Sequence, residues 1–296
     1  MTRRGWLLFG ALGVIWGLPY FMIKVAVREL HPAFLVFVRT GGGAAVLLPL
    51  AAARGELAPA LRRWRPVLVF AAVEIGVPWF LLFSAETRVS SSLSALLIAT
   101  VPLFAALVAW VTRSERLDAR RLGGLAVGFG GVAVLVGFDV GRSDVLATVS
   151  LGAVGLGYAL GPWVVARRLS DLPSLGVVAL SLAACTAAYA APAALEVPAR
   201  TPSAPVLASV VGLTAACTVV AFVALFALVA EVGAMRATVI TYVNPAVAVL
   251  VGVAALGEPF GLASGAGFAL ILAGCVLATR PAPGAPALVA PPVAEP

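Results

Sequence analysis

The sequence predicts an all-α integral membrane protein of ten transmembrane helices, arranged as two five-helix repeats of opposite orientation. Three observations carry this: the apolar composition, a series of ten apolar runs, and a constant-offset repeat between the halves. Of 296 residues, 62% are hydrophobic and 11% are charged, and mean hydropathy is +1.08. Soluble domains average about half apolar and about a quarter charged, so a soluble globule is excluded. A spanning helix takes about 20 mostly apolar residues. Ten of these with short loops use nearly the whole chain and leave no room for a separate soluble domain.

The apolar runs fall at 5–26, 33–53, 66–85, 93–112, 120–138, 145–165, 174–194, 206–229, 237–256 and 262–279. Charge clusters or Pro/Gly separate most of them, as expected where a chain turns in water or headgroups. The first run follows Arg3 and Arg4, continues for a full span and shows no cleavage site, so it reads as a span rather than a signal peptide. The stretch 280–296 is Pro-rich and aperiodic, and is expected to be disordered.

The arginines set the orientation. With the N-terminus inside, inside segments hold Arg3, Arg4, Arg54, Arg62, Arg63, Arg65, Arg113, Arg116, Arg120, Arg121, Arg167, Arg168, Arg236 and Arg280. Outside loops hold Arg28, Arg88, Arg142 and Arg200, while Lys24 and Arg39 fall inside spans. Basic residues accumulate in cytoplasmic loops. The split therefore places both termini on the inner side of the cytoplasmic (inner) membrane and favours an even number of spans. The net charge of +7 is dispersed among loops beside apolar runs, so orientation explains it and nucleic acid is not an expected partner.

Residues 94–131 align with 237–274 at an offset of 143. Pro102 pairs with Pro245, Glu115 with Glu258, Gly124 with Gly267 and Gly131 with Gly274; upstream, Trp16 falls near Tyr158. The repeat unit contains five spans, an odd number, so the second copy enters the membrane the other way round. This divides the chain into repeats at 1–140 and 141–279. Inverted repeats are common in secondary transporters, with the substrate site near the midplane between the halves.

Gly13/Gly17, Gly124/Gly128, Gly157/Gly161 and Gly261/Gly265 have the spacing that lets helix backbones approach closely in lipid. Pro19, Pro78, Pro102, Pro162 and Pro245 lie mid-span, where proline removes a hydrogen bond and kinks the axis. The paired Pro102 and Pro245 are candidate hinges. Cys185, Cys217 and Cys275 lie in apolar runs without metal-ligand spacing and read as small core residues. No cofactor or metal is expected.

Four segments carry a family resemblance: WGLPYFMIK (Trp16, Gly17, Lys24), HPAFLVFVR (Pro32, Arg39), and the two Pro-x12-Glu segments VPLFAALVAWVTRSERL and NPAVAVLVGVAALGEPF. With these, the chain resembles the ten-helix EamA-type branch of the drug/metabolite transporter superfamily over residues 6 to about 279. The resemblance implies export of amino acids or other small metabolites. There are departures: Val101 stands where the second copy has Asn244, Arg113–Ser114 replace Leu256–Gly257, and Glu74 matches no feature of the branch.

A charge at the bilayer centre costs about 2.5–3.5 kcal/mol on insertion scales, so Lys24, Arg39 and Glu74 need a reason to be there. Lys24 reads either as snorkelling to the outer headgroups or as a cationic site for a substrate carboxylate or phosphate. Arg39 lies deeper and calls for a buried partner; its fork suits a carboxylate. Glu74 reads as a proton carrier, as a structural hydrogen-bonding group, or as the partner of Arg39. Trp16, Tyr20 and Lys24 share one helix face and form the candidate cavity wall. Trp79, Tyr158 and Trp163 are further aromatic candidates, and Thr241, Tyr242 and Asn244 form a polar cluster before Pro245. Trp6, Trp64 and Trp110 read as interfacial anchors. Glu115 and Glu258 are expected to complement the positive end of the helix that follows each. Glu86 and Glu231 are expected to be solvated, and His31 to be a plain loop residue.

The function expected is secondary active transport by alternating access, with the lipid bilayer, a small-molecule substrate and protons as partners. There is no G-x4-G-K-[ST] loop, so direct ATP use is not expected. A passive facilitator or channel is the alternative. A membrane-embedded enzyme is the weaker one, since no span carries histidine or paired acids on one face.

Overall fold

The computed structural model describes residues 2–113, 118–139, 145–232 and 240–279, which are helical with no strand. Among them, nine helical segments are long and apolar enough to cross a membrane: Arg3–Ala26, Pro32–Ala53, Trp64–Glu86, Ser91–Val111, Ala119–Gly137, Val145–Leu169, Ser174–Leu195, Ala204–Val232 and Leu262–Thr279. Ile240–Leu256 is apolar but has 17 residues; residues 233–239 before it lie outside the described set. It occupies the place expected for the ninth crossing, and the ten segments are called spans 1 to 10 in chain order. Glu115, Arg116, Arg142, Arg236, Arg280 and the expected disordered tail 280–296 also lie outside the described residues.

Local chemistry sets the helix starts. Thr2 accepts from Gly5 N at 3.1 Å before span 1, and Ser90 accepts from Leu93 N at 3.1 Å before span 4; both satisfy an orphan amide of the first turn. His31 is a cap rather than a plain loop residue: its Nδ1 accepts from Ala33 N at 3.3 Å, with Pro32 opening the helix. Proline in the first turn of a helix costs no hydrogen bond, which explains how Pro19, Pro78 and Pro102 are tolerated mid-span. Span 1 breaks at Leu18 and restarts at Pro19. Span 4 breaks at Ala99–Thr100, and Pro102 lies in the first turn of its second half. Pro245 instead lies inside an uninterrupted helix, so the paired prolines differ locally.

Spans 3 and 8 each contain a wide π-helical stretch, Ala71–Gly76 and Ala215–Val220. Such stretches disturb the regular backbone pairing, and in lipid the freed carbonyls must find protein partners. Span 7 supplies them for span 3: Tyr189 Oη donates to Gly76 O at 2.9 Å and Cys185 Sγ to Ala71 O at 3.5 Å.

The principal packed pairs are spans 1 with 8, 3 with 6, 1 with 9, 4 with 6, 2 with 7, 4 with 9, and 5 with 10. Spans 5 and 10 approach closest. A Cβ added at Gly124 would lie 2.6 Å from Ala278 N, and one at Gly131 would lie 2.8 Å from Gly267 O. Gly13 and Gly17 admit Val243 and Val247 of span 9, and Gly157 admits the Val73 carbonyl of span 3. Gly261/Gly265 departs from the packing expectation: nothing lies within 4 Å of a Cβ at Gly261, and only Phe260 approaches Gly265. Trp6, Trp64 and Trp110 are exposed near span ends, as interfacial anchors should be.

Candidate functional site

Arg39 of span 2 is the centre of the deepest polar cluster. It is 5% exposed. Its guanidinium carbon sits 3.8 Å from the Trp79 ring centroid and 5.9 Å from that of Phe83. Its Nε donates to Thr218 Oγ1 at 3.1 Å, and Thr218 in turn donates to Leu213 O at 2.9 Å. Span 8 reaches Arg39 through its π-helical stretch, to which Thr218 belongs. Among the described residues, no carboxylate lies within 4.0 Å of Arg39.

Of the readings open for Glu74, the pairing with Arg39 is therefore not found. Glu74, in the π-helical stretch of span 3, lies against Gly161 of span 6, where any added Cβ would land on its Oε2. That oxygen is buried and has no hydrogen-bond partner among the described residues. Tyr158, one turn earlier on span 6, faces Glu74, Arg39 and Trp79. Tyr20 of span 1 is 8% exposed and shares the surroundings of Tyr158 and Arg39. One turn before Thr218, the hydroxyl of Thr214 is buried and has no partner among the described residues. The structure thus brings Tyr20, Arg39, Glu74, Trp79 and Tyr158 together and adds Thr214 and Thr218, with both halves of the chain contributing.

This arrangement can bind a polar solute. Stacking on Trp79 holds the guanidinium plane by a cation–π contact worth about 2 kcal/mol when desolvated. With Nε committed to Thr218, the remaining edge of the fork can take an anion such as a carboxylate in bidentate fashion. The surrounding aromatics can take the apolar part.

Other expected site residues lie elsewhere. Lys24 neither snorkels nor faces this cluster: its Nζ donates to Glu86 O at 2.6 Å and Val89 O at 2.7 Å. It thereby closes the C-terminal end of span 3, where a cation is favoured. Trp16 packs against a small cluster that includes Leu12, Leu228 and Ile240, apart from the main core to which Tyr20 belongs. Trp163 belongs to a satellite cluster with Val67, Phe70 and Leu169, and the Arg167 guanidinium lies 5.4 Å from its ring. Asn244, with its amide nitrogen toward the acceptors, donates to Ile240 O at 3.1 Å and Gly13 O at 3.2 Å, which ties span 9 to span 1. Tyr242 faces span 10 through Thr279 Oγ1 at 3.4 Å, and Thr241 is half-buried beside it.

Two carboxylates near span ends also correct the sequence reading. Glu258 does not serve the following helix. It caps span 4 of the other half, accepting from Ser91 N (2.7 Å), Ser92 N (2.9 Å), Ser91 Oγ (2.9 Å) and Ser92 Oγ (2.5 Å). Burial alone raises the Glu258 carboxyl, but the Ser92 and Ser91 donors outweigh it and hold it below the usual glutamate value. Glu86 is fully buried rather than solvated, and among the described residues neither of its carboxyl oxygens has a hydrogen-bond partner. Glu231 is bound by Thr2, with Arg4 at 3.8 Å.

With this geometry in place, comparison with known proteins gives the family. The chain matches the EamA-like transporter family over residues 3–137 and again over 147–280. The chain belongs to the EamA-like transporter family. It is similar to YedA of Escherichia coli K12, named an uncharacterized inner membrane transporter, at 28% identity over 279 residues, covering 92% of this chain and 90% of that one. It is also similar to YvbV of Bacillus subtilis strain 168, named an uncharacterized transporter, at 26% identity over 178 residues, or 60% of this chain and 58% of that one. A protein of solved crystal structure shares the fold, with TM-score 0.66 and 23% identity over 94% of this chain and 97% of that one. The protein is thus a membrane transporter, as expected from its sequence.

Proposed function

We propose that this transporter is a secondary exporter of small metabolites or amino acids, proton-coupled, that works by alternating access in the inner membrane. The Arg39 cluster is its substrate centre. The observation that carries this reading is Arg39 itself: buried between the halves, stacked on Trp79, and without a carboxylate partner among the described residues. A charge so placed is stabilised when an anionic group arrives. The carboxylate of an amino acid or small organic acid has that chemistry.

The packing supports two repeats of opposite orientation. If spans 1 to 5 are exchanged with spans 6 to 10, the pair 1 with 8 becomes 6 with 3, and 1 with 9 becomes 6 with 4. Pairs 2 with 7, 4 with 9 and 5 with 10 map onto themselves. The π-helical stretches of spans 3 and 8 exchange as well. The family match in two stretches fits the same division. Both termini lie inside, from the arginine distribution, and the name of YedA fits an inner-membrane location. Glu74 carries the proton: it is a mid-span carboxyl next to Tyr158, with one oxygen unpartnered among the described residues.

The test is flux in proteoliposomes, with labelled amino acids and small carboxylates, with and without an imposed pH gradient. Gradient-dependent accumulation is expected. Arg39→Lys, which keeps the charge but loses the planar fork, is expected to lower apparent affinity at least about tenfold, or about 1.4 kcal/mol. Glu74→Gln is expected to abolish accumulation while leaving binding. Equilibration insensitive to the gradient would establish a passive facilitator instead. Unchanged transport in folded Arg39→Lys would sink the assignment of the centre.

A further inference from the structure

A second basic cluster lies far from Arg39, at the ends of spans 2, 3 and 6. The connection from span 2 to span 3 bends at Arg63, between the short helix Leu57–Arg62 and the start of span 3 at Trp64. Span 6 ends there in the π-helical turn Val165–Leu169. Together they line a cleft of about 470 Å³ formed by Arg62, Arg63, Trp64, Arg65, Pro66 and Arg168.

Part of this cluster is pre-oriented. Arg63 pairs with Asp171 through both terminal nitrogens, at 2.7 Å each, and also donates to the Arg168 carbonyl at 3.1 Å. Arg65 lies 5.3 Å from the Trp64 ring centroid. Asp171 balances one of the four arginines, which leaves the cleft three positive charges in excess. The inside-positive rule explains arginines in such loops. It does not explain why Arg168, from the second half of the chain, converges with Arg62, Arg63 and Arg65 on one concave site.

We infer that this cleft binds the headgroup of an anionic phospholipid. Guanidinium forks take phosphate oxygens in pairs, and basic pockets between spans bind anionic headgroups. The bilayer rim selects a lipid over a soluble phosphate. Trp64 is half exposed at the cleft, as an aromatic at headgroup level is. Leu61, Leu68 and Val69 of the same segment are exposed apolar neighbours on which acyl chains can lie. A lipid held there bridges the start of span 3 and the end of span 6, so it clamps the two halves at one end. The inference does not rest on the transport mechanism, and its failure would leave that reading intact.

Thermal unfolding of the purified protein tests this, read by a thiol-reactive dye on the three buried cysteines, Cys185, Cys217 and Cys275. Phosphatidylglycerol or cardiolipin in mixed micelles is expected to raise the midpoint by about 5 °C at saturation. Phosphatidylcholine and water-soluble glycerol phosphate are not. Arg62→Gln/Arg168→Gln is expected to keep its lipid-free midpoint and lose the rise. The single variant Arg65→Gln, read by native mass spectrometry, is expected to retain less bound anionic lipid, which keeps the test open if the double variant misfolds. An equal rise with phosphatidylcholine, or a rise that survives the double variant, would overturn the site. An equal rise with glycerol phosphate would overturn its lipid nature.

Discussion

Replacing Glu258 with Gln probes the link between the halves, and its size can be worked from contacts. The carboxylate accepts from two backbone amides and two hydroxyls at the start of span 4. Gln keeps one acceptor oxygen and no charge. Hydrogen bonds to charged groups are worth about 1.5–3 kcal/mol against about 0.5–1.5 for neutral ones, and a charge at a helix N-terminus adds about 0.3–1. Two amides weakened and two hydroxyls released sum to about 4 kcal/mol, and solvent screening at this half-exposed turn halves that to about 2. The unfolding midpoint should fall by about 5 °C at neutral pH. The sign with pH gives an internal control. The folded carboxyl is held below its unfolded value, so its stabilisation is present above about pH 4.3 and lost as pH falls through the lower folded value. The gap between wild type and Glu258→Gln should therefore close in acid. An equal gap in acid, or none at neutral pH, would refute the capping account.

Gly124→Leu should cost about 3 kcal/mol or prevent folding, because its side chain would enter the backbone of span 10; expression and gel-filtration profiles check this, against Gly123→Leu, where a Cβ meets nothing within 4 Å. Lys24→Met should destabilise by about 2 kcal/mol by leaving the Glu86 and Val89 carbonyls unmatched, and Lys24→Arg should recover part of it in the same dye assay. Glu86→Gln should change stability by less than about 1 kcal/mol, because no hydrogen bond to either carboxyl oxygen is lost; a larger loss would reveal a partner. Gly161→Ala should lower transport more than it lowers the midpoint, since its methyl displaces Glu74 directly.

The class of fold could be read from sequence because hydropathy and span length are local quantities. Arg39, Glu74, Trp79, Tyr20 and Tyr158 could be singled out because charge and aromaticity deep in an apolar run are conspicuous. Their partners could not. Thr218 lies 179 residues from Arg39, and nothing near either residue signals the other. Lys24 and Trp16 share a face in a continuous helix, but the neighbours that draw Trp16 into one cluster and Lys24 to the end of span 3 lie far away in sequence. Glu86 looks solvated beside Thr87 and Arg88, yet is enclosed by packing that only the folded chain creates. The run Ser90–Ser91–Ser92 does mark a helix start, and it was the available clue to the group Glu258 would cap.

The contact of spans 5 and 10 has a consequence for motion. Where Gly124 and Gly131 lie, one helix's backbone rests on the other's, with Ala278 N and Gly267 O inside the volume that a methyl would fill. Interdigitated side chains can hop between rotamers and let two helices slip by a notch; a bare main-chain contact has no such yielding layer. Under the alternating access proposed above, this pair is expected to act as a mast, holding its length and register while the remaining spans lean and roll about it.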